Sequence, residues 1–253
     1  MFSPEALKGQ VILVTGASRG IGAEIAAAAA GAGADIAVGY LEDSKGAESS
    51  VARVRSLGRE AHAFAADVRD ETQVNAMVDA VLARFGRIDG LVNNAGVIAD
   101  SQVVDMTTDE WKRMIDVDLT GAFMCSRAVL PGMLDRGSGS IVMISSRLGQ
   151  IGFAGVAHYS AAKAGILGLV KSLAKEVGPQ GVRVNAVAPG VTITDMGAEV
   201  MDGEVGRRRL AELPAGRFAA AAEVAESVVF LLTDAASHYY GQTLCPNGGG
   251  HMP

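Results

Sequence analysis

Cysteine is nearly missing from this chain: among 253 residues there are two, Cys125 and Cys245. Neither belongs to a C-x-x-C spacing or a cysteine–histidine cluster, which excludes a disulfide framework and a zinc site. Positive charge is also in deficit, with 22 Lys and Arg against 28 Asp and Glu and a formal net charge of −6. Phosphate backbones and anionic lipids are bound by Lys and Arg, so nucleic acid, membrane surfaces and acidic protein partners are disfavoured. No uncharged apolar run is long enough to span a bilayer, and Met1–Gln10 carries Pro4, Glu5 and Lys8 where a signal peptide needs an apolar core. A Pro/Ser-rich linker, a low-complexity tail and a fixed-period repeat are missing too. The expectation is a soluble, cytoplasmic protein folded as one domain over residues 1–253.

What is present is an alternation. Short Val/Ile-rich runs at Val11–Thr15, Ile36–Gly39, His62–Ala66, Ile88–Asn93, Ile141–Ser145, Arg183–Ala188 and Gln242–Cys245 are separated by longer stretches of helical period. Strands that alternate with helices pair in parallel through helical crossovers, and near-continuous apolarity is expected where helices cover both faces. The fold class implied is α/β: a doubly wound Rossmann fold with a parallel, seven-stranded sheet. The alanine-rich run Ile21–Gly31 predicts a helix able to pack close to that sheet. A single helix is predicted over Asp109–Leu134, another over Tyr159–Val177, and a third beginning near Asp70.

The first strand runs straight into Gly16-Ala17-Ser18-Arg19-Gly20-Ile21-Gly22 and then the alanine helix. Such a turn directs backbone N–H groups and the positive end of a helix dipole at a pyrophosphate, and glycines permit close backbone approach. By themselves three glycines more often serve only chain geometry; the strand before and the helix after favour a dinucleotide. The spacing T-G-x-x-x-G-x-G, with Asp67-Val68 after the third strand, Asn93-Asn94-Ala95-Gly96 after the fourth, Ser146, Tyr159-x-x-x-Lys163, and Pro189-Gly190 followed by Thr192 and Thr194, resembles the short-chain dehydrogenase/reductase family. Within it the chain is similar to the β-ketoacyl-[acyl carrier protein] reductase-like members. The motifs span nearly the whole chain in order.

The resemblance implies cofactor contacts from Gly16, Ser18, Arg19, Gly20, Ile21, Gly22, Tyr40, Asp67, Val68, Asn94, Ala95, Gly96, Tyr159, Lys163, Pro189, Gly190, Thr192 and Thr194. Asp67 would hold the adenine amino group, Asn94 to Gly96 would line the cleft, Lys163 would also contact the nicotinamide ribose, and both threonines would hold the carboxamide. Plainer readings stand beside these. Asp67 could cap the following helix, the Asn-Asn-Ala-Gly run could be a turn, and the threonine hydroxyls could bond their own backbone.

Tyr159 and Lys163, four residues apart in a helical stretch, lie on one face. A free phenol has a pKa of about 10, and a neighbouring ammonium would lower it, so that Tyr159 can exchange a proton with a carbonyl or alcohol oxygen. Ser146, just past a strand, would hydrogen-bond that oxygen; its rival Ser145 should point to the opposite face. The hydride must come from a nicotinamide, since no side chain carries one. One departure stands out. Where the family has Asn-Leu-Thr-Gly, with the asparagine as fourth catalytic member holding a water beside the lysine, this chain has Asp118-Leu119-Thr120-Gly121. Asp118 could hold that water, or, ionised, it would offset the Lys163 charge and weaken its help to the tyrosine.

At the family's usual position for a carboxylate on the ribose 2′-OH stands Tyr40, and Arg19 in the glycine turn suits a 2′-phosphate. These two features favour NADP(H); Glu42 and Asp43, which would repel that phosphate if they point inward, leave NAD(H) open. The expected activity interconverts a small carbonyl compound and its alcohol. Reduction of a 3-oxoacyl-[acyl carrier protein] is the alternative, disfavoured because the family's docking arginines align with Pro131 and Gln180. A non-catalytic dinucleotide sensor is the alternative of another class. Substrate contacts are expected over Asp195–Leu213, with Met196 and Met201 as apolar lining; Arg207-Arg208-Arg209 could greet an anion or form a solvated face. His158 reads as a helix-start residue. A homotetramer is implied by the resemblance, with the helices of Asp109–Leu134 and Tyr159–Val177 packing on their copies. The small residues Ala161, Ala162, Ala164, Gly165 and Gly168, and the apolar Tyr239, Tyr240, Leu244 and Met252, would support it unless they pack internally.

Overall fold

The computed structural model describes residues 2–194, 201 and 203–252. Seven parallel strands form one sheet: β1 Val11–Val14, β2 Asp35–Tyr40, β3 Ala61–Ala65, β4 Gly90–Asn93, β5 Gly139–Ile144, β6 Val182–Val187 and β9 Thr243–Leu244, in the order β3-β2-β1-β4-β5-β6-β9. A two-residue pair, β7 Thr192–Ile193 with β8 Ala219–Ala220, stands apart from it. The predicted strands all form, shifted by a residue or two at their ends, and the chain is the expected single-domain doubly wound α/β fold.

Alternation along each strand divides the interior into two cores. Ile12, Val14, Ile36, Val38, Val92, Val142 and Val187 face one side, where α1 (Gly20–Gly31), α2 (Ser44–Ser56) and the late helix α9 (Ala221–Leu232) cover them. Val11, Leu13, Ala37, Leu91, Ile141, Met143 and Val184 face the other, under α3 (Glu71–Phe85), α5 (Gly121–Arg136) and α7 (Ala157–Val177). Both faces are dry, which is why the strands read as unbroken apolar runs.

Chain order reverses between β1 and β4. Connections leave those neighbouring strands toward opposite faces, so a crevice opens beyond their carboxyl ends. The glycine turn after β1 and the Asn94-Ala95-Gly96 turn after β4 sit there side by side.

The stretch expected as one helix over Asp109–Leu134 is two. Helix α4 (Thr108–Ile115) passes through a π-turn, Asp116–Thr120, into α5, with the Gly121 amide reaching back to the Asp116 carbonyl. An extra residue in one turn rotates the helix beyond it, and such bulges concentrate at functional sites. The short α6 (Leu148–Ile151) lies on α7, and α8 (Gly203–Ala211) comes after the β7 crossing. Of the expected substrate segment, Asp195 to Val200, including Met196, and Asp202 lie outside the described residues.

Close approach at the start of α1 requires glycine. A Cβ on Gly22 would lie 2.5 Å from Asn94 Nδ2 and 2.9 Å from Ala17 Cα, and would overlap the Gly16 carbonyl. Gly22→Ala is expected to lower unfolding stability by about 1–3 kcal/mol through overpacking, read by urea denaturation; an unchanged midpoint would show that the turn can open without cost.

Candidate active site

Thr15, at the end of β1, ties the two turns together. Its Oγ1 accepts from the amides of Asn94 and Ala95, both at 3.1 Å, and donates to the Val92 carbonyl at 3.3 Å. The Asn94 side chain donates to the Thr15 and Gly16 carbonyls at 3.0 Å each. Asn94 therefore braces the glycine turn, and its amide nitrogen is spent on that bracing. Gly16 and Gly20 have φ values of +64 and +58, which side chains disfavour, and a Cβ on Gly16 would meet Ala95 Cα at 2.9 Å.

Helix α1 starts without a side-chain cap and without an acidic residue in its first turn. By contrast Asp43, Asp70 and Thr107 cap α2, α3 and α4. The α1 amides are thus left for an outside acceptor, and the helix dipole favours an anionic one. Glycine turn, open amides and switch-point crevice fit the pyrophosphate of a dinucleotide. Ile21 packs into the α1-side core, while Arg19 stands exposed at the N-cap position.

Farther along the crevice, Tyr40 ends β2 opposite Ala65, partly buried. Asp67 does not cap α3; Asp70 does, accepting from the Thr72 and Gln73 amides. The Asp67 carboxylate is instead gripped by Arg69, with Nη2 2.6 Å from Oδ2, and this holds its pKa below the usual range despite partial burial. Val68 packs against Gly121, where a Cβ would lie 2.8 Å from it. On the other side, Pro189 accepts from the Arg147 amide at 2.9 Å and Gly190 lies against Asn247. Thr192 Oγ1 donates to the Gly190 carbonyl at 3.1 Å, and Thr194 Oγ1 to that of Thr192 at 3.4 Å. The threonine segment crosses the glycine turn, since Thr194 Cγ2 is 3.6 Å from where a Gly20 Cβ would be.

At the centre of the crevice Lys163 is 4% exposed and Asp118 2%. The Lys163 ammonium donates to the Ile144 carbonyl at 3.0 Å and meets Asp118 Oδ2 at 3.0 Å, off the best hydrogen-bond direction, so charge attraction carries most of that contact. Asp118 Oδ1 accepts from the Val97 amide at 2.8 Å. The π-turn delivers Asp118 to this spot, and Gly96 leaves room for it, because a Cβ there would lie 3.0 Å from Oδ2 and 3.3 Å from Lys163 Nζ. Asp118 thus stands in a direct ion pair with Lys163. Burial opposes the lysine charge, but Asp118, helped by Tyr159, outweighs it and raises the Lys163 pKa above the usual lysine value.

Tyr159 lies one turn before Lys163, whose Nζ is 5.5 Å from the ring centroid. Burial pushes the phenol up; the Lys163 charge and a hydrogen bond with Ser146 pull it down, but Asp118 adds to the rise, and the net direction is upward. The expected lowering by Lys163 is present and outweighed. Ser146 Oγ accepts from the Leu148 amide at 3.1 Å, which leaves its proton to donate. Ser145 points the other way and donates to the Lys163 carbonyl at 2.7 Å, anchoring α7 to β5. His158 is buried in the first turn of α7, with Nδ1 unpartnered. Residues that spacing gave no reason to mark are Val97, whose amide orients Asp118, and Arg147, a buried cation next to Ser146. Among the described residues no cluster could hold a metal ion, and no helix is long and apolar enough to cross a membrane.

A doubly wound sheet with a glycine cradle at its switch point and a Tyr/Lys/Ser cluster beside it defines a dinucleotide-dependent oxidoreductase. Comparisons with known proteins agree. The model of the adh_short_C2 family, described as enoyl-(acyl carrier protein) reductase, matches residues 16–251. A 3-oxoacyl-[acyl-carrier-protein] reductase, FabG, of Staphylococcus aureus is 41% identical over 95% of this chain and 97% of its own. A protein of the same name from Synechocystis is 44% identical over 96% and 98%. A Beutenbergia cavernae structure described as an NAD(P)-dependent gluconate 5-dehydrogenase, with NADP bound at low occupancy, is 37% identical and superposes with a TM-score of 0.93, covering 98% of this chain and 99% of that one. Levodione reductase gives 35% and 0.92, covering 96% and 98%. The chain belongs to the short-chain dehydrogenase/reductase family and is an NAD(P)-dependent oxidoreductase of carbonyl and alcohol groups.

The pair makes the site sensitive to one charge. Asp118→Asn removes a negative charge that raises Tyr159, so the phenol titrates lower and alcohol oxidation, which needs the phenolate, gains its activity at lower pH. The acid limb of the pH–rate profile is expected to move down with turnover similar or higher; an unmoved limb would mean that Asp118 and Tyr159 are not coupled.

Proposed function

We propose that the protein interconverts a small carbonyl compound and its alcohol with Tyr159 as the group that gives and takes the proton. The convergence of Tyr159, Ser146 and the Lys163 ammonium at the mouth of the glycine cradle carries this reading. When bound, the nicotinamide dinucleotide supplies or accepts the hydride. Gly16, Ser18, Gly20, Ile21 and Gly22 would hold its pyrophosphate, with Tyr40, Asp67 and Val68 along the adenosine side, Asn94, Ala95 and Gly96 from the adenosine ribose to the nicotinamide, and Pro189, Gly190, Thr192 and Thr194 along the nicotinamide side. Ser146 donates to the substrate oxygen, and Tyr159 passes that oxygen its phenolic proton in reduction and recovers it in oxidation. Lys163 keeps the phenolate charge compensated and would hold the nicotinamide ribose.

The 2′-phosphorylated cofactor is the preferred one. Arg19 is exposed and makes no ion pair among the described residues. Of the two carboxylates that could repel the phosphate, Asp43 is turned into the start of α2, accepting from the Gly46 amide at 2.9 Å, and Glu42 lies in the field of Arg69. Both leave Arg19 free for a phosphate.

A second reading, reduction of a carrier-protein thioester, is supported by the names of the curated relatives. Against it, the exposed positions of the docking arginines hold Pro131 and Gln180, and the net charge of −6 opposes an acidic partner. A free small molecule is the better substrate class. The cytosol suits a chain whose two cysteines are both unpaired thiols. Self-association as a homotetramer is supported by α7, where Ala161, Ala164 and Gly168 face outward, and by exposed Trp111, Phe123, Tyr240 and Met252. Ala162, Gly165 and Tyr239 pack internally and say nothing about it.

Oxidation of NADPH and of NADH with a panel of ketones, aldehydes and quinones, with free thioesters and carrier-protein thioesters as rivals, tests the activity. Turnover is expected with free carbonyls and NADPH, and Tyr159→Phe is expected to lower kcat about 10²–10⁴-fold while cofactor still binds. Undiminished turnover in that variant would overturn the mechanism. Light scattering should give a mass near four chains; a mass near the single 25.9 kDa chain would contradict the tetramer.

A further inference from the structure

Of the three consecutive arginines on α8, the fold treats one differently. Arg207 and Arg208 are exposed, and Arg208 sits 3.5 Å from Glu212 in a solvated pair. Arg209 is 9% exposed. Its guanidinium lies over the Phe153 ring, 4.3 Å from the centroid, its Nε is buried with no hydrogen-bond partner, and it forms no ion pair among the described residues.

A second buried cation belongs to the same place. Arg147, 5% exposed, directly follows Ser146 and precedes α6, the short helix that packs on the backbone of Lys163. Its Nη1 donates to the Gly250 carbonyl at 3.1 Å, close to Leu213 near the end of the α8 segment, and its Nε too is buried without a partner. Among the described residues it has no carboxylate within ion-pair distance. The two guanidiniums are near enough for each to feel the other's charge, and burial with the Arg147 charge makes Arg209 less basic than a free arginine. Asp100 and Glu212 act in the opposite sense from a distance, without contact.

Two like charges, out of water, with unfilled donors and, among the described residues, no carboxylate touching either, form an arrangement a fold does not favour by itself. Planar guanidiniums with spare N–H groups match a carboxylate. Arg147 directly follows Ser146, and Arg209 comes within its field from α8, over the ring of Phe153.

We propose that Arg147 and Arg209 form an anion subsite beside the reacting carbonyl, and that the substrate is a short oxo acid or hydroxy acid whose carboxylate they receive. The inference rests on the reading of Ser146 and Tyr159 as the carbonyl site, and it adds the substrate's charge to that reading. A phosphate ester would offer related chemistry, but a subsite made of two forks with one arm already on Gly250 suits the smaller, planar carboxylate.

Calorimetric titration of the cofactor-loaded protein with oxo acids of four to six carbons, each paired with its methyl ester, tests it without needing turnover. At least one acid is expected to bind tenfold or more tighter than its ester, and that ratio is expected to fall toward one in Arg209→Met. The same collapse is expected in Arg147→Gln, which keeps a donor for Gly250. No acid outbinding its ester, or a ratio preserved in Arg209→Met, would overturn the proposal. Should that variant fail to fold, the wild-type ratios and Arg147→Gln decide. Selective acid binding without hydride transfer to or from the bound acid would keep the subsite and defeat the reading of Ser146 and Tyr159 as the carbonyl site, so the two failures differ.

Discussion

A lysine ammonium removed from water governs this site. The effective penalty for taking such an ion out of solvent is several kcal/mol, and Lys163 is 4% exposed. Its charge persists because Asp118 and the Ile144 carbonyl stand at 3.0 Å. Each neighbour then has a task set by that pair. The π-turn carries Asp118 inward, the Val97 amide orients it, Gly96 supplies room for it, and Ser145 pins the backbone of Lys163 to β5. Tyr159 inherits the balance: its phenol is influenced by a cation and an anion together, with the sum above the ordinary phenol value.

Sheet topology makes that balance useful. Because chain order reverses between β1 and β4, the turns after them meet in one crevice, and Thr15 with Asn94 binds them into a unit. The uncapped start of α1 sits on one side of this unit and the Lys163–Asp118 pair on the other. A dinucleotide held by the α1 amides would run from the cradle to the pair. On the side of α6 and α8 the fold has left two guanidiniums, Arg147 and Arg209, buried.

Much of this was legible in the sequence, for local reasons. Apolar runs mark strands wherever both faces are covered, and the glycine spacing marks a turn that any larger residue would obstruct, as at Gly22. Ser146 could be told from Ser145 because a strand alternates its faces. The features that could not be read depend on packing between distant segments. The π-turn in the stretch expected as a single helix arises where α4, α5 and α7 meet, and nothing in Asp116–Thr120 announces it. That Asp43 caps α2 while Asp67 pairs with Arg69 is a choice between local partners that composition leaves open. The triple arginine looks uniform in the chain; only the ring of Phe153, more than fifty residues earlier, separates Arg209 from its neighbours. The net direction of the Tyr159 pKa needed the depth of burial as well as the identity of the charges.

Asp118 keeping Lys163 a charged ammonium in a buried site is the condition on which the rest turns. It is tested most directly by NMR titration of the Lys163 side chain, labelled at Cε, in the wild-type protein and in Asp118→Asn. The expected result is a lysine that stays protonated to higher pH than the usual lysine pKa of about 10.4 in the wild type and deprotonates at lower pH once Asp118 is neutralised. A wild-type Lys163 that titrates at or below the ordinary lysine value, or one indifferent to the substitution, would contradict it.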